Sequence, residues 1–276
     1  MKRILIVGCP RSGTTLVQAL VSKLSSVFTL RETHFMAKAR RHRLICALDH
    51  VIGLSQKRVN NAFKYIVEDN NLEPYNCGIV LSVHSLVVKF DDLMIREAVR
   101  NEKNTWLEKS PEHLFYLNDF MKSLDNVKVV HILRDGRDVV ASLNDAARKY
   151  DSWNNQNYGN VDKCVGYYNS CVLESIKYVG VDNHYFLNYN KLVEMPEKVL
   201  EELFMFLGEV MPSDILRVDS VGSGIIRADE GWKTEKSNVI EDTRLVKYNS
   251  LFGDREKKDI ESKLIGFDEL VRYVGC

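Results

Sequence analysis

The stretch VGCPRSGTTL, residues 7 to 16, follows the apolar run Ile4-Leu5-Ile6-Val7 and opens a segment of helical apolar periodicity. It reads as a strand, a tight glycine-bearing turn and a helix start. Gly8 and Gly13 stand at the spacing of a phosphate-cradling loop, but the position that carries the lysine of a nucleotide kinase holds Thr14. Such a turn aims successive backbone N–H groups and the positive end of a helix dipole at one spot. Arg11, Ser12, Gly13, Thr14 and Thr15 would ring an anion there, and Arg11 adds a planar fork that suits a pair of phosphate or sulfate oxygens.

Outward from this loop the chain alternates strand and helix. Extended runs are expected at 3–8, 27–30, 104–108, 127–133 and 184–188, with helices near 13–25, 34–51, 57–68 and 90–102 (these two flanking the β-branched run 79–83), 111–124 (with Ser110 as its N-cap and Pro111 at its first position), 136–150, 161–180 and 196–207 and two more at the C-terminus. The run 127–133 is almost wholly apolar, as in a strand buried on both faces. The expected fold is therefore α/β: three layers, α/β/α, around a mainly parallel central sheet like that of the P-loop nucleotide-binding proteins. With 276 residues, 45% of them hydrophobic, the chain is long enough for a single domain spanning 1–276, with 37–103 and 146–183 as helical insertions.

Lys plus Arg and Asp plus Glu number 38 each, for a net charge of zero, so no global claim on nucleic acid or an anionic membrane is supported. No apolar run reaches the ~18 residues that a spanning helix needs, and Gly8, Pro10 and Arg11 interrupt the N-terminal apolar run too early for a secretion signal. A cytoplasmic protein is expected. The six cysteines form no C-x-x-C pair and read as free, structural thiols of a reducing compartment.

A second anion site lies in HILRDGRDVVASL, residues 131 to 143. Arg134 closes a strand, Gly136 makes the turn, Asp135 is placed to cap the next helix and Ser142 follows eight residues after Arg134. Ligands of open α/β sheets sit outside the carboxyl ends of the strands, so Arg134 and Ser142 can converge on one oxyanion. Two anion sites on neighbouring strand ends call for a nucleotide with phosphate at both ends of its ribose.

These segments together resemble the sulfotransferases that use 3'-phosphoadenosine 5'-phosphosulfate (PAPS). The first loop is similar to the family's 5'-phosphosulfate loop, and Arg134 with Ser142 to its 3'-phosphate site. FLNYNKLVEMPEKVLEELFMFLGE (186–209) resembles the segment that places a tyrosine, here Tyr189, near the adenine. RADEGWKTEK (227–236) is a looser likeness of the loop that folds over the nucleotide, with Arg227, Trp232 and Lys233 as the matching types. The resemblance covers 1–36, 104–145 and 184–236 and implies PAPS as donor, PAP as product and no required metal. PAPS has no β- or γ-phosphate, which accounts for a loop without the kinase lysine.

Sulfuryl transfer asks for in-line placement, stabilised charge on the leaving oxygen and a base for the attacking hydroxyl. In LRETHF (30–35) the offset of Glu32 from Arg11 is similar to that of the general base of tyrosylprotein sulfotransferases, although Glu32 or Thr33 could equally cap the helix that follows. In WLEKSPEHL (106–114) the resemblance makes Lys109 the cation at the bridging oxygen, so that Arg11, Glu32 and Lys109 form the expected catalytic set. The small-molecule sulfotransferases carry Lys-Thr-His at this point; here Pro111 stands where their base is, leaving His113 as a substitute base.

The acceptor is expected to be a hydroxyl of a carbohydrate, a peptide or a small molecule. The basic run 38–43 could meet an acidic acceptor or form the solvated face of a helix. Trp106, Trp153 and Tyr158 could stack on a ring or lie in the core, and 151–160 has the composition of a lid. His34, His84 and His131 are assigned to packing or hydrogen bonding. A nucleotide kinase with a degenerate loop and a non-catalytic nucleotide-binding protein remain as alternatives.

Overall fold

The structure is a computed structural model and describes residues 1–40, 54–150, 158–216 and 244–276. Five strands, β1 (Lys2–Gly8), β2 (Val27–Thr29), β3 (Thr105–Lys109), β4 (Val127–Leu133) and β5 (His184–Asn188), form one sheet in the order β2-β3-β1-β4-β5, and every pairing is parallel. The alternation within β1 shows why the molecule has three layers. Leu5 and Val7 enter a core with Phe63, Phe90 and Trp106 on one face, while Ile4 and Ile6 enter a second with Val17, Leu187 and Leu203 on the other. A strand whose side chains are buried on both faces has to be sandwiched.

The second face is covered by α1 (Thr14–Val21), α8 (Tyr189–Glu194) and α9 (Pro196–Leu207). The first is covered by α2 (Phe35–Ala39), α3 (Gln56–Asp69), α4 (Val83–Arg100), α5 (Leu117–Ser123), α6 (Gly136–Lys149) and α7 (Val161–Ser175), together with the C-terminal α10 (Val246–Leu251), α11 (Asp254–Lys263) and α12 (Phe267–Val274). A 3₁₀ segment, Pro111–Tyr116, links β3 to α5. The adjacent strands β1 and β4 thus send their connections to opposite faces, α1 to one and α6 to the other. That divergence opens a crevice at their carboxyl ends, which is where open parallel sheets bind ligands.

Several expectations shift in detail. The helix expected at 90–102 begins at Val83, because Ser82 and Ser85 build a reciprocal capping box there. The β-branched run 79–83 accordingly pairs with no strand among the described residues. Six residues directly after β5 form α8, which periodicity does not reveal, and the described residues of the C-terminal region hold three short helices where two are expected. Of the helix expected at 34–51, residues 41–51 lie outside the described residues, and within them the helix runs only over Phe35–Ala39, Arg40 being extended. Trp106 is fully buried, its indole N–H donating to Asp91 Oδ1 at 2.9 Å, while Arg3 holds the same carboxylate through both oxygens. Trp106 and Tyr158, both buried, belong to the core rather than to an acceptor surface. Five free cysteines are described, four of them buried. No helix among the described residues is long and apolar enough to cross a membrane.

Candidate functional site

The loop after β1 is shaped by its backbone. Gly8 has φ 152° and lies so close to β4 that a Cβ there would stand 2.7 Å from the carbonyl oxygen of Ile132. Gly13, at φ 94°, precedes α1, and a Cβ on it would fall 2.2 Å from Cε2 of Tyr189. Only glycine combines that left-handed conformation with that approach. Arg11 also takes a left-handed conformation, φ 73°, although it is not glycine. Strain of this kind persists where the surroundings over-determine it and is concentrated at functional sites. The first bond of α1 is Val17 N–H to Gly13 C=O, so the amides before Val17 have no partner inside the helix and point into the crevice.

From β4 comes the second arginine. Arg134 donates to the carbonyl of Arg11 at 3.3 Å, lies 4.6 Å above the ring of Tyr189 and pairs with Asp138 at 3.6 Å. Asp135 caps α6 by accepting from the amide of Arg137 at 2.9 Å. Ser142, about two turns further on in α6, accepts from Nε of Arg11 at 3.0 Å. Ser142 is therefore joined to the first loop through Arg11, rather than to Arg134. The two guanidinium groups are near enough to oppose one another: burial, and after it the charge of Arg134, pull Arg11 below its ordinary value, with Asp145 and Glu32 opposing. The buried hydroxyl of Ser12 and the buried Nε of Arg134 line one small cavity and have no hydrogen-bond partner in the protein. That void is of water size and lined mostly by apolar side chains, so the case for an anionic group rests on the two crowded cations at the helix N-terminus.

On the other side of the same loop stands Lys109, at the end of β3. Its ammonium is fully buried, lies 3.1 Å from Oγ1 of Thr15 and forms an ion pair with Oε1 of Glu32. The cation that a kinase loop would supply from its own sequence arrives here from a neighbouring strand. Glu32 does not cap α2; its second oxygen is 3.4 Å from Nε2 of His34, whose Nδ1 contacts Oε1 of Glu112. Ser110 does not cap the 3₁₀ segment either. Its hydroxyl donates to Glu108 at 2.6 Å and accepts from the amide of His34 at 3.0 Å, and Thr33 donates to the same Glu108 oxygen at 2.6 Å. Burial disfavours a charged His34, but Glu112 and then Glu32 outweigh it, and His34 titrates above the ordinary histidine value. Burial alone would raise Glu112, yet His34 beside it holds that carboxyl below the usual range.

The structure thus gathers Arg11, Ser12, Gly13, Thr14, Thr15, Glu32, Lys109, Arg134, Ser142 and Tyr189 about one crevice. Arg227, Trp232 and Lys233 lie outside the described residues, as do Trp153 and 41–43 of the basic run. The rest of that run is engaged within the protein: Lys38 lies 3.7 Å above the ring of Tyr65, and Arg40 pairs with Asp119. His113 is fully buried behind the site, its Nε2 accepting from the amide of Met36 at 3.3 Å, and burial lowers it against the pull of Glu108. His131 is buried between Ser175 and His184, whereas His84 is exposed on the first turn of α4. His34 and Glu112 are site residues that sequence reasoning misses, and the short motif Glu32-Thr33-His34 is the signal that points to the first.

Residues 3–213 match the family model described as Sulfotransferase family. A curated relative, an uncharacterized protein of Aquifex aeolicus (strain VF5), is 23% identical over 218 residues; these are 74% of this chain but only 25% of that protein, so the chain spans about a quarter of its length. Among solved structures, the sulfotransferase domain of the Synechococcus PCC 7002 olefin synthase is similar with a TM-score of 0.60 at 16% identity, covering 99% of this chain and 93% of that one. The sulfotransferase domain from the curacin biosynthetic pathway gives 0.61 at 18%, covering 95% and 96%. A mouse sulfotransferase complexed with PAP gives 0.53 at 14%, covering 98% and 85%. At these identities the structures speak for the fold, and the family match covers most of the chain: the protein belongs to the sulfotransferase family.

Proposed function

We propose that the chain moves the sulfuryl group of PAPS to a hydroxyl of a carbohydrate, peptide or small-molecule acceptor. The observation that carries this reading is the convergence of Arg11 and Arg134, from two strand ends, over the N-terminus of α1. A single phosphate at one helix terminus would not need both arginines. The mouse relative holds PAP, and a retinol dehydratase that is similar with a TM-score of 0.50 at 14% identity was solved with androsterone and PAP, which supports a donor of this class.

PAPS, when bound, supplies the activated sulfuryl group and a 5'-phosphate as leaving group. The amides of Gly13, Thr14 and Thr15 with the Ser12 hydroxyl hold the 5' end, and Arg11 reaches the sulfuryl oxygens. Arg134 and Ser142 hold the 3'-phosphate, and Tyr189 lies against the adenine. Lys109, already beside Thr15, stabilises charge on the leaving oxygen. Glu32 takes the acceptor proton; its ion pair with Lys109 keeps the base and the cation within one hydrogen-bonded unit.

Transfer of ³⁵S from labelled PAPS to a panel of phenols, sugars and peptides tests the reading. Wild type labels at least one class, and Glu32→Gln labels it ~100-fold or more slowly while still binding PAP. Labelling by Glu32→Gln at the wild-type rate would remove Glu32 as base. Binding of ATP in preference to PAP would return the kinase reading.

A further inference from the structure

His34 has more structure around it than a packing histidine needs. It is not glycine yet sits at φ 50°, fixed there by its amide donating to Ser110 Oγ at 3.0 Å. That conformation turns the ring into the crevice, and its side chain keeps 31% of its surface exposed. One ring nitrogen contacts Glu112 Oε1 and the other stands 3.4 Å from Glu32 Oε2. A carboxylate on one nitrogen fixes the tautomer and leaves the other as a proton acceptor aimed at a third group.

We propose that His34 and Glu112 complete the base begun by Glu32, forming a carboxylate–imidazole–carboxylate line along which the acceptor's proton leaves the site. The inference rests on the reading of Glu32 as the group that meets the acceptor. The steps balance without redox change. The acceptor O–H bond breaks and its proton goes to a Glu32 oxygen; that O–H bond breaks in turn as an N–H bond forms at His34 Nε2. Glu112 holds the resulting imidazolium through Nδ1–H, and the partly exposed ring returns the proton to solvent.

The physical need is a matched base. An unperturbed glutamate, near 4.3, is a weak acceptor for a hydroxyl proton, whereas a base that titrates near the working pH is efficient. Sharing one proton with an imidazole moves the pair toward neutrality. Facing His34 are Glu32, Glu108 on β3, and Glu112 and His113 on the 3₁₀ segment, with Lys109 beyond Glu32. The three carboxylates account for its elevated titration, so the line is empty of its extra proton, and ready to accept, only above that elevated value.

The test uses the full chain, labelled with ¹⁵N-histidine and saturated with PAP, with His34→Gln to assign the resonances among the seven histidines. His34 should be protonated at Nδ1 when neutral and titrate at Nε2 above about 6.5; Glu112→Gln and Glu32→Gln should each lower its proton affinity, Glu112→Gln by about tenfold. A neutral tautomer protonated at Nε2, or a midpoint unmoved in Glu32→Gln, would overturn the proposal. The second readout is release of labelled sulfate from PAPS to water as probe acceptor. Its rate should rise with pH to the His34 midpoint, and His34→Gln should move that limb acidward; a limb that stays in place while the rate falls would leave His34 only a structural part. Failure of the underlying reading looks different. Glu32→Gln would then release sulfate as fast as wild type with the coupled titration intact, whereas a relay that alone is wrong shows normal dependence on Glu32 and an uncoupled His34.

Discussion

The two walls of the crevice are built by different means. The wall that the proposed function gives to the donor, the loop of Gly8 to Thr15 with Arg134 and Tyr189, is held by backbone geometry: two glycines at positive φ, a strained Arg11, a capped α6 and the close seat of Tyr189 on Gly13. The wall that it gives to the acceptor, with Glu32, His34, Glu108, Lys109 and Glu112, is held by side-chain charge, buried and paired across elements distant in sequence. A ligand with fixed charges and a fixed span favours a rigid backbone mould. Proton movement favours groups that can exchange partners, and those are set by side chains.

If that contrast holds, removing one charge from the acceptor wall has the largest cost. Lys109→Met deletes one half of a buried ion pair, and urea unfolding should show a loss of about 3–5 kcal/mol. The double variant Lys109→Met/Glu32→Gln should recover part of it; a single-variant loss under about 1 kcal/mol would mean that this wall is not held by charge. On the donor wall, Gly13→Ala places a Cβ against the Tyr189 ring at a left-handed position, at a cost of about 2–3 kcal/mol. Adding Tyr189→Ala should relieve the contact but not the backbone strain, and full recovery would show that backbone conformation is not what matters there.

A smaller effect separates the walls again. Asp135→Ala removes the α6 cap and should lower stability by about 1 kcal/mol, with PAP affinity falling alongside because α6 carries Ser142. Melting curves together with PAP titrations on the same variant check this. The smallest concerns pH. His34 titrates higher in the folded chain than in the unfolded one, so its contribution to stability is complete below the ordinary histidine value and is lost as pH rises through the elevated one. The stability difference between wild type and His34→Gln should therefore shrink over that window; a difference that grows with pH would reverse the assignment of charge on this wall.

The donor wall was the more legible one in the sequence, for the same reason. Its parts are contiguous: a strand, glycines at fixed offsets and a polar turn, then an arginine at the end of a continuous apolar run whose strand is Val127–Leu133, as expected. The acceptor wall joins residues that lie far apart in the chain, such as His34 with Glu112, and periodicity carries no record of such meetings. Thus His34 reads as a packing residue, and Ser110 before Pro111 reads as a cap, although its hydroxyl is used to join Glu108 to His34. Where local and tertiary demands agree, as in β5 and α9, the boundaries follow from the sequence. Where a cap outweighs β propensity, as at Ser82 before Val83, they do not.

The central claim is that two arginines on neighbouring strand ends grip opposite ends of one adenosine-based donor. Calorimetric titration of PAP and of 5'-AMP into wild type and Arg134→Ala tests it most directly. We expect wild type to prefer PAP, and Arg134→Ala to lose about 1.5–3 kcal/mol of PAP binding with little change for 5'-AMP. Equal losses for the two nucleotides, or a wild type that does not tell them apart, would contradict the account.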